Sequence, residues 1–528
     1  MFKPLDPQYQ YSSRRSDVYA SNVVSTSQPL ATQAGIEMLR RGGNAVDAIV
    51  ASAIALTVVE PVSNGIGSDA FGIVWDGIDL HGLNGSGKSP AAWTPDRFEG
   101  LKNMPTIGWD TVTVPGAVDA WVRLSQRFGK LPFEQLFEPA IRYASDGFVV
   151  TPIIANSWAS AVGTYRDYPE FCKTFLPNGQ APTAGDSFLC PQQSETLTDI
   201  AQSKGESFYR GRLAQLIVSA SERGGGAMTA DDLAQHESIW VNCISQNFKD
   251  LVVHEIPPNG QGLAALIAFG VLDHLGIDRY LPDSTDSIHL QIEAMKVGFA
   301  EAHRHVADPT AMDTTIEALL NPDRLVARAT EICLNQASFP TPQISNDRGT
   351  VYLCAADASG MMVSFIQSNY EGFGSGIVIP GTGISLQSRG TGFTLENGHP
   401  NCVNGRKRPF HTIIPAFVTR AGRPLLSFGV MGKHMQPQGH VQVLIRMVCQ
   451  GKSPQQALDA PRWHVAEDFS ICLEPGLEFL ASKLAARGHR FINEPFTGLF
   501  GGGQIILRTE NGYVAGSDPR KDGHAAGF

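Results

Sequence analysis

One helical segment of the chain is apolar on nearly every side. Residues 45–56 read AVDAIVASAIAL, and Asn44 directly before them is a favourable helix-capping residue. A helix without a polar face must be covered all round, so we expect this segment to be buried. A preceding helix is predicted over residues 33–41, and Gly42 and Gly43 end it. The chain must therefore supply a core large enough to enclose a whole helix.

The composition is that of an ordinary globular protein, with 528 residues, 42% hydrophobic and 17% charged. This length supports one large core or more than one domain. The net charge of −10 and the lack of a Lys/Arg cluster argue against nucleic acid as a partner. A membrane-spanning helix needs about 18 consecutive apolar residues, and the sequence contains no such run.

Cysteine usage and the first residues bear on the cellular compartment. The eight cysteines are scattered singly, without the C-x-x-C spacing of a zinc site. The first residues, MFKPLDP, lack the apolar core of a secretion signal. We therefore expect a cytoplasmic protein with reduced thiols and no metal site.

Predicted secondary structure changes along the chain. Residues 115–345 are predicted to be mainly helical, most clearly at 139–144 and 287–306. Residues 310–349 are more polar and contain several prolines, so we expect a mobile segment leading to Thr350.

The part that follows is richer in predicted strands and hairpins. Residues 357–360, DASG, are typical of a hairpin turn. Strands are predicted on both sides of it and further along the chain, at 351–356, 361–366 and 425–429. Two late helices are predicted at 437–449 and 453–460.

Thr350 stands where a polar loop ending in Gly349 meets the first of these strands. A threonine hydroxyl inside a chain is a poor nucleophile. If the Gly349–Thr350 bond is cut, the freed α-amine can serve as its base. That amine has a reference pKa of about 7.7–8.0, which suits a general base near neutral pH. The alternative is an ordinary strand start, which is what most Gly-Thr pairs before a strand are.

A series of motifs along the chain decides between these interpretations. They are GGNAVDA at 42–48, VPGAVDAW at 114–121, PPNGQG at 257–262, the Thr350 strand, GSGIV at 374–378, KRP at 407–409 and APRWH at 460–464. In this order they resemble the γ-glutamyltranspeptidase family, from about residue 20 to Gly523. The resemblance implies an α/β (α+β) fold of the N-terminal-nucleophile hydrolase type, a four-layer αββα sandwich. It also implies self-cleavage into a large subunit, residues 1–349, and a small subunit, residues 350–528, which stay associated as one globular unit.

By the same resemblance, two backbone N–H groups after a strand stabilise the oxyanion of the acyl-transfer reaction. Gly432 matches the first glycine of the family's pair, and Lys433 replaces the second. A positive φ at this position costs more for lysine than for glycine. The alternative interpretation of this loop is a plain strand-to-helix turn.

The substrate-binding positions depart further from the family. His411 and Thr412 stand where the family has two carboxylate-binding serines. Thr412 can hydrogen-bond a carboxylate, and His411 can do so as a donor and add charge at low pH. A core or surface histidine is an equal alternative.

The two charged groups by which the family holds an α-amino acid end are missing. The arginine before the Ala-Pro motif is absent, and Gly392 replaces the aspartate. Arg389 is predicted to supply a cation from another direction. Gln367, Ser368 and Asn369 lie where the family has a substrate-contacting asparagine, with a one-residue ambiguity in the match.

These features predict a self-processing amide hydrolase or acyltransferase that cleaves γ-glutamyl amides such as glutathione and needs no cofactor. One alternative is an acylase acting on glutaryl or other acyl amides, as in the divergent branch related to cephalosporin and glutaryl acylases. Another is a relative that kept the fold and lost the chemistry. The expected partners are a small-molecule substrate and the two associated fragments, in a possible homo-oligomer.

Overall fold

Two antiparallel sheets of seven strands each form the centre of the protein. The computed structural model describes residues 15–339, 350–492 and 498–528. In the first sheet the strand order is β1 (Val18–Ala20), β19 (Gly512–Ser517), β18 (Gly502–Thr509), β15 (Arg423–Met431), β14 (Ala416–Arg420), β9 (Leu251–Glu255) and β8 (Ile244–Phe248). In the second it is β20 (His524–Gly527), β2 (Val23–Thr26), β10 (Val351–Ala356), β11 (Met362–Ser368), β3 (Asp69–Trp75), β4 (Leu80–Gly85) and β7 (Ile239–Val241).

Three short strand pairs lie outside the two sheets. They are β5 (Phe148–Val149) with β6 (Ser187–Phe188), β12 (Val378–Ile379) with β13 (Ile384–Ser385), and β16 (Trp463–Val465) with β17 (Ile471–Leu473).

Helices precede and follow the sheets in the chain and cover their outer faces. The first group comprises α1 (Pro29–Arg40), α2 (Ala45–Val59), α3 (Ala117–Phe128), α4 (Glu138–Asp146), α5 (Pro152–Tyr165), α6 (Pro169–Phe175), α7 (Pro191–Ser203), α8 (Glu206–Tyr209), α9 (Arg212–Arg223) and α10 (Ala230–Ala234). The second group comprises α11 (Gly262–Leu275), α12 (Thr285–His305), α13 (Ile316–Leu319), α14 (Pro322–Glu331), α15 (Met435–Val448), α16 (Pro454–Asp459) and α17 (Ala481–Ala486).

The buried apolar residues form three large clusters, and each cluster fills the space between two adjacent layers. One joins the first helix group to the outer face of the second sheet. Another joins the second helix group to the outer face of the first sheet. The third lies between the sheets and includes Phe71, Tyr352, Ile366, Phe417 and Ile506. The predicted four-layer αββα sandwich is therefore confirmed.

Helix α2 lies inside this structure as predicted, because every one of its residues is buried. Its start is fixed by a capping box. The Asn44 side chain accepts hydrogen bonds from the N–H groups of Val46 and Asp47, and the Asp47 carboxylate accepts from the Asn44 N–H. The strong cap and the all-apolar surface together explain why the sequence identified this element well.

Residues 115–339 are mainly helical as predicted, from α3 to α14, although residues 239–255 contain strands β7, β8 and β9. The prediction for residues 310–339 is wrong. The segment expected to be mobile contains helices α13 and α14, and α14 begins with an Asn321 cap and Pro322. Residues 340–349 lie outside the described part of the chain.

None of the helices in the described residues is both long enough and apolar enough to cross a membrane. All eight cysteines are free thiols. The cytoplasmic location stays a prediction.

The two sheets approach closely where the second residue of β10 meets β15. Gly429 of β15 faces the ring of Tyr352, and a Cβ built at Gly429 would lie 2.5 Å from that ring. Real Cβ atoms do not come so close to another carbon, so a glycine is required for this spacing. Since Tyr352 stands two residues after Thr350 on the same face of the strand, the contact also constrains the position of Thr350 between the sheets.

We expect Gly429→Ala to lower the free energy of unfolding by about 1–3 kcal/mol through overpacking against Tyr352. The measurement is the apparent melting temperature at a fixed heating rate. Gly163→Ala is the matched control, because Gly163 lies in α5 and its nearest neighbour would be 3.8 Å away. The control should be neutral or slightly stabilising, and equal losses in both variants would contradict the proposed contact.

Candidate functional site

Three polar side chains lie in neighbouring strands of the second sheet, on its inner face. Thr350 directly precedes β10, Ser368 ends β11 and Asp69 begins β3. Ser368 is paired with Asp69 in the register of the sheet. All three are fully buried. Strand alternation directs them toward the first sheet, as it does Tyr352.

The hydroxyls of Thr350 and Ser368 are hydrogen-bonded to each other. Thr350 Oγ1 donates to Ser368 Oγ at 3.1 Å. The backbone N–H of Tyr370 donates to the same Ser368 oxygen at 2.9 Å. Ser368 therefore holds the Thr350 hydroxyl in a defined orientation. Gly349, and with it the predicted cleavage bond, lies outside the described residues.

Tyr370 continues the chain beyond Ser368 in an unusual backbone conformation. Its φ is +77°, which bulky residues rarely adopt. Two cations lie near its ring: Lys433 Nζ at 4.1 Å and the Arg389 guanidinium carbon at 4.9 Å from the centroid. The tyrosine thus connects the paired hydroxyls to two predicted site residues.

Gly432 and Lys433 form the turn between β15 and α15. Both have positive φ, +129° and +52°. The Lys433 carbonyl accepts a hydrogen bond of 2.8 Å from the Gln261 side chain, which also donates to the Thr412 carbonyl. The backbone therefore takes the strained course considered from the sequence, in spite of the lysine. The role of its N–H groups toward an oxyanion stays a prediction.

The Lys433 side chain is buried and paired. Its ammonium lies 2.9 Å from a carboxylate oxygen of Glu371. Burial lowers the pKa of Lys433 well below its usual value, and the negative charge of Glu467 opposes that shift. Burial likewise raises the pKa of Glu467 to about 7, and Lys433 opposes that change. This wall of the site therefore has compensated charges.

Arg389 carries a cation on the other side of Tyr370. It is 1% exposed, and its Nη1 donates to Thr412 Oγ1 at 2.9 Å. Its Nε and Nη2 have no hydrogen-bond partner among the described residues. Burial lowers its pKa to about 10, so the guanidinium stays charged at neutral pH. Two neighbouring donors of one guanidinium match the two oxygens of a carboxylate.

His411 faces Asp69 and does not add charge to the site. Its Nε2 lies 3.2 Å from Asp69 Oδ2, and both side chains are fully buried. Burial and the nearby Arg389 charge hold the pKa of His411 well below its usual value. The expectation that it becomes positive at low pH is therefore wrong, because the cost of burying a second cation prevents it.

Gln367 and Asn369 do not lie beside the Thr350 hydroxyl. Gln367 points to the helix side of β11, where its side chain bonds Trp121 and Asn64. Asn369 is held between Ser68 and Ser385. Their predicted contact with substrate finds no support in these positions, because both amides already have protein partners.

The sequence analysis missed Tyr370 and Asp69 as site residues, and it named Ser368 only as one of three candidates for a substrate contact. The predicted turn at 357–360 would place Thr350 opposite Gln367. The observed loop is one residue longer, with Ala356 paired with Met362 and Val351 with Gln367, so Thr350 stands opposite Ser368. Side chains paired across an antiparallel hairpin lie on the same face. Asp69 was hidden because it stands at the end of a glycine-rich turn.

One other cluster of buried ligand-type groups lies away from the site, comprising His289, Glu293 and His489. The Lys296 ammonium lies 2.8 Å from Glu293 and occupies the position of a cation beside that carboxylate. The other Glu293 oxygen accepts from the backbone N–H of Ser338. The Glu293 carboxylate is therefore paired with protein groups, whereas His489 Nδ1 has no hydrogen-bond partner among the described residues.

Comparison with known proteins yields relatives over nearly the whole chain. Residues 31–528 match the family described as Gamma-glutamyltranspeptidase. The chain is 33% identical over 525 residues to the glutathione hydrolase-like YwrD proenzyme of Bacillus subtilis, covering 97% of this chain and 100% of that protein. It is also 33% identical over 528 residues to the oxamate amidohydrolase proenzyme of Klebsiella pneumoniae, covering 97% and 99%.

A solved structure shows the same architecture. The crystal structure of cephalosporin acylase from Bacillus halodurans matches with a TM-score of 0.95 and 46% sequence identity. The match covers 100% of this chain and 99% of that chain. The divergent branch indicated by the sequence is thus confirmed.

If Thr350 is the predicted nucleophile, we expect Ser368→Ala to lower kcat for a chromogenic anilide about tenfold to hundredfold, because a buried hydrogen bond of about 1–3 kcal/mol to the Thr350 hydroxyl is lost. Rates are measured per processed enzyme, with the processed fraction read from a denaturing gel. Ser368→Thr is the matched control, since it keeps the hydroxyl. Full activity in the alanine variant would show that the hydrogen bond has no catalytic role.

Proposed function

The chain belongs to the gamma-glutamyltranspeptidase family of N-terminal-nucleophile hydrolases, and from this premise we propose that Thr350 is its nucleophile and is freed by self-cleavage after Gly349. The observation that supports this role is the buried hydrogen bond between Thr350 and Ser368, at the head of a central strand. Two relatives are named proenzymes, which agrees with maturation by cleavage.

The reaction then proceeds through an acyl-enzyme. The α-amine of Thr350 takes the hydroxyl proton as Oγ1 attacks the amide carbonyl, and the proton passes to the leaving amine as the C–N bond breaks. Water or an acceptor amine attacks the resulting ester and releases the acyl group. Ser368 keeps Oγ1 oriented through these steps, and the N–H groups of Gly432 and Lys433 are the proposed oxyanion donors.

We propose that the acyl group carries a carboxylate and that Arg389 binds it. The observation that supports a substrate with a carboxylate is that Arg389 Nε and Nη2 have no hydrogen-bond partner among the described residues. Thr412 completes the binding group, because its hydroxyl accepts from Arg389 and keeps its own hydrogen free to donate.

The recognition of an α-amine has less support. Gly392, at the position of the family's aspartate, offers no carboxylate to hold one. Glutaryl amides, which lack the amine, therefore compete on equal terms with γ-glutamyl amides such as glutathione. One relative is named for oxamate, an amide that carries a carboxylate.

The proposed fragments, residues 1–349 and 350–528, are interleaved in the second sheet. Strands β10 and β11 of the small fragment lie between β2 and β3 of the large fragment. Cutting one peptide bond leaves these ladders intact, which supports fragments that stay associated.

Self-cleavage has a direct test in intact mass spectrometry with N-terminal sequencing. We expect the purified wild type to give two chains, the smaller beginning at Thr350. Thr350→Ala should stay a single chain without activity, because it lacks the hydroxyl. Thr350→Ser keeps a hydroxyl and should process. An uncut, inactive wild type would instead favour the relative that has lost its chemistry.

The substrate class is tested with glutaryl-, γ-glutamyl- and butyryl-p-nitroanilide. Butyryl is glutaryl without the carboxylate and is the matched control. We expect Arg389→Gln to raise KM for the glutaryl compound about 30-fold or more, since losing one partner of a buried charge pair costs about 2–5 kcal/mol. Its KM for the butyryl compound should hardly change. Equal effects on all three substrates would contradict carboxylate binding by Arg389.

A further inference from the structure

A buried acid and a buried arginine of the site contact two consecutive residues of one segment. His411 Nε2 lies 3.2 Å from Asp69 Oδ2, and Arg389 Nη1 donates to Thr412 Oγ1 at 2.9 Å. Asp69 is fully buried and Arg389 is 1% exposed. The Arg389 charge is the strongest group favouring the ionised Asp69, and Asp69 is the strongest group favouring the charged Arg389. The proposed reaction assigns no role to this acid, although it is paired with Ser368 in the sheet.

Asp69 is held by neutral hydrogen-bond donors. Its Oδ1 accepts from the Gly116 N–H at 3.0 Å, and its Oδ2 accepts from the Gly87 N–H at 3.3 Å. His411 Nε2 also lies 3.2 Å from Oδ2, while the Ile413 N–H donates to His411 Nδ1. The second bond places the hydrogen of a neutral imidazole on Nε2, so His411 donates to Asp69 without adding charge.

We propose that Asp69 is the counter-charge of Arg389 in the unliganded site, and that it takes up a proton when an acyl carboxylate binds to Arg389. The inference rests on the proposed carboxylate-binding role of Arg389. Asp69 is thus a positioning residue, which acts on substrate through the guanidinium.

The physical reason is that two buried carboxylates then compete for one cation. A second anion near Asp69 favours its neutral form, and in a buried site this effect is strong. Burial already raises the pKa of Asp69 to about 7, with Arg389 opposing the rise. A further rise on binding moves proton uptake into the range just above neutral pH.

The other ionisable groups that face Asp69 are Arg408 and Tyr209. Arg408 donates to the Ser86 carbonyl and adds positive charge near Asp69. Burial raises the pKa of Tyr209 well above its usual value, so its hydroxyl stays neutral. His411 is also neutral, and Asp69 is therefore the group in this set that titrates near pH 7.

The sign of the pH dependence follows. The complex binds one more proton than the free enzyme at pH values between the free and bound pKa of Asp69. Affinity for a carboxylate is therefore full below about pH 7 and falls about tenfold per pH unit above it, until the bound pKa is passed.

The test is calorimetry of glutarate binding to the processed enzyme at pH 7.5, in phosphate and in Tris. These buffers differ in ionisation enthalpy, so the difference in heat gives the number of protons taken up. We expect uptake of about three-quarters of a proton in the wild type, because a free pKa of about 7 leaves Asp69 partly protonated at pH 7.5. We expect none in Asp69→Asn, whose affinity should not vary between pH 6.5 and 8.5. Glu467→Gln is the matched control, since Glu467 has a similar pKa and faces Lys433; it should keep the uptake.

Each outcome separates the two proposals. If glutarate does not bind, the carboxylate-binding role of Arg389 fails and this inference fails with it. Binding without proton uptake, or uptake that survives in Asp69→Asn, overturns the inference alone, as does loss of uptake only in Glu467→Gln.

If Asp69→Asn does not fold, His411→Asn replaces it. Losing the His411 donor should move the midpoint of uptake to higher pH, and an unchanged midpoint would count against Asp69.

Discussion

The pairing of β10 with strands on both of its edges is the constraint on which the site depends. β10 lies between β2 and β11, and its two faces pack against the first helix group and the first sheet. A residue at the head of such a strand has almost no freedom to move. Thr350 is therefore positioned by the whole sandwich and not by a loop, which is what a reacting oxygen requires.

Around this fixed point the protein concentrates features that cost stability. Tyr370 and Lys433 both have positive φ. Arg389, Lys433 and Asp69 bury charge. Backbone strain and buried charge persist where the surroundings determine them strongly, and they are common at functional sites. In this site the strained residue and two of the buried charged groups are in contact, because the Arg389 and Lys433 side chains both lie against the ring of Tyr370.

Much of this arrangement could be predicted from local patterns. The buried helix α2, the hairpin after Thr350 and the order of the motifs are each determined by short stretches of sequence. Strand β7 was missed because it pairs with the distant β4, and β-structure is sensitive to such context. Strands β8 and β9 form a local hairpin, which the sequence analysis overlooked. The polar stretch before Thr350 was misjudged because helix caps such as Asn321 lie within it.

The residues of the site were harder to predict than the fold. Gln367 and Ser368 are neighbours in sequence, yet a strand directs them to opposite faces, and only the register shows which one meets Thr350. Asp69 enters the site from a glycine-rich turn that is far from Arg389 in the sequence, so no local pattern indicates that the two charges are near each other. Chemical type alone selected His411 as a group that gains charge, and burial reverses that property.

If the chain matures by the proposed cleavage after Gly349, the interleaved strands of the second sheet also determine the order in which folding and cleavage occur. β10 and β11 must be paired with β2 and β3 before the chain is cut, because the sheet can close only around strands already in place. In the uncut precursor the two halves are held together by the chain. Bringing them into contact therefore costs only the entropy of closing a loop within one molecule. Once the bond is cut, that connection no longer exists. Separated fragments would have to find each other by diffusion, each with unpaired strand edges exposed. The proposed cleavage would therefore be a one-way step, and the shape of the cut protein would depend on kinetic stability.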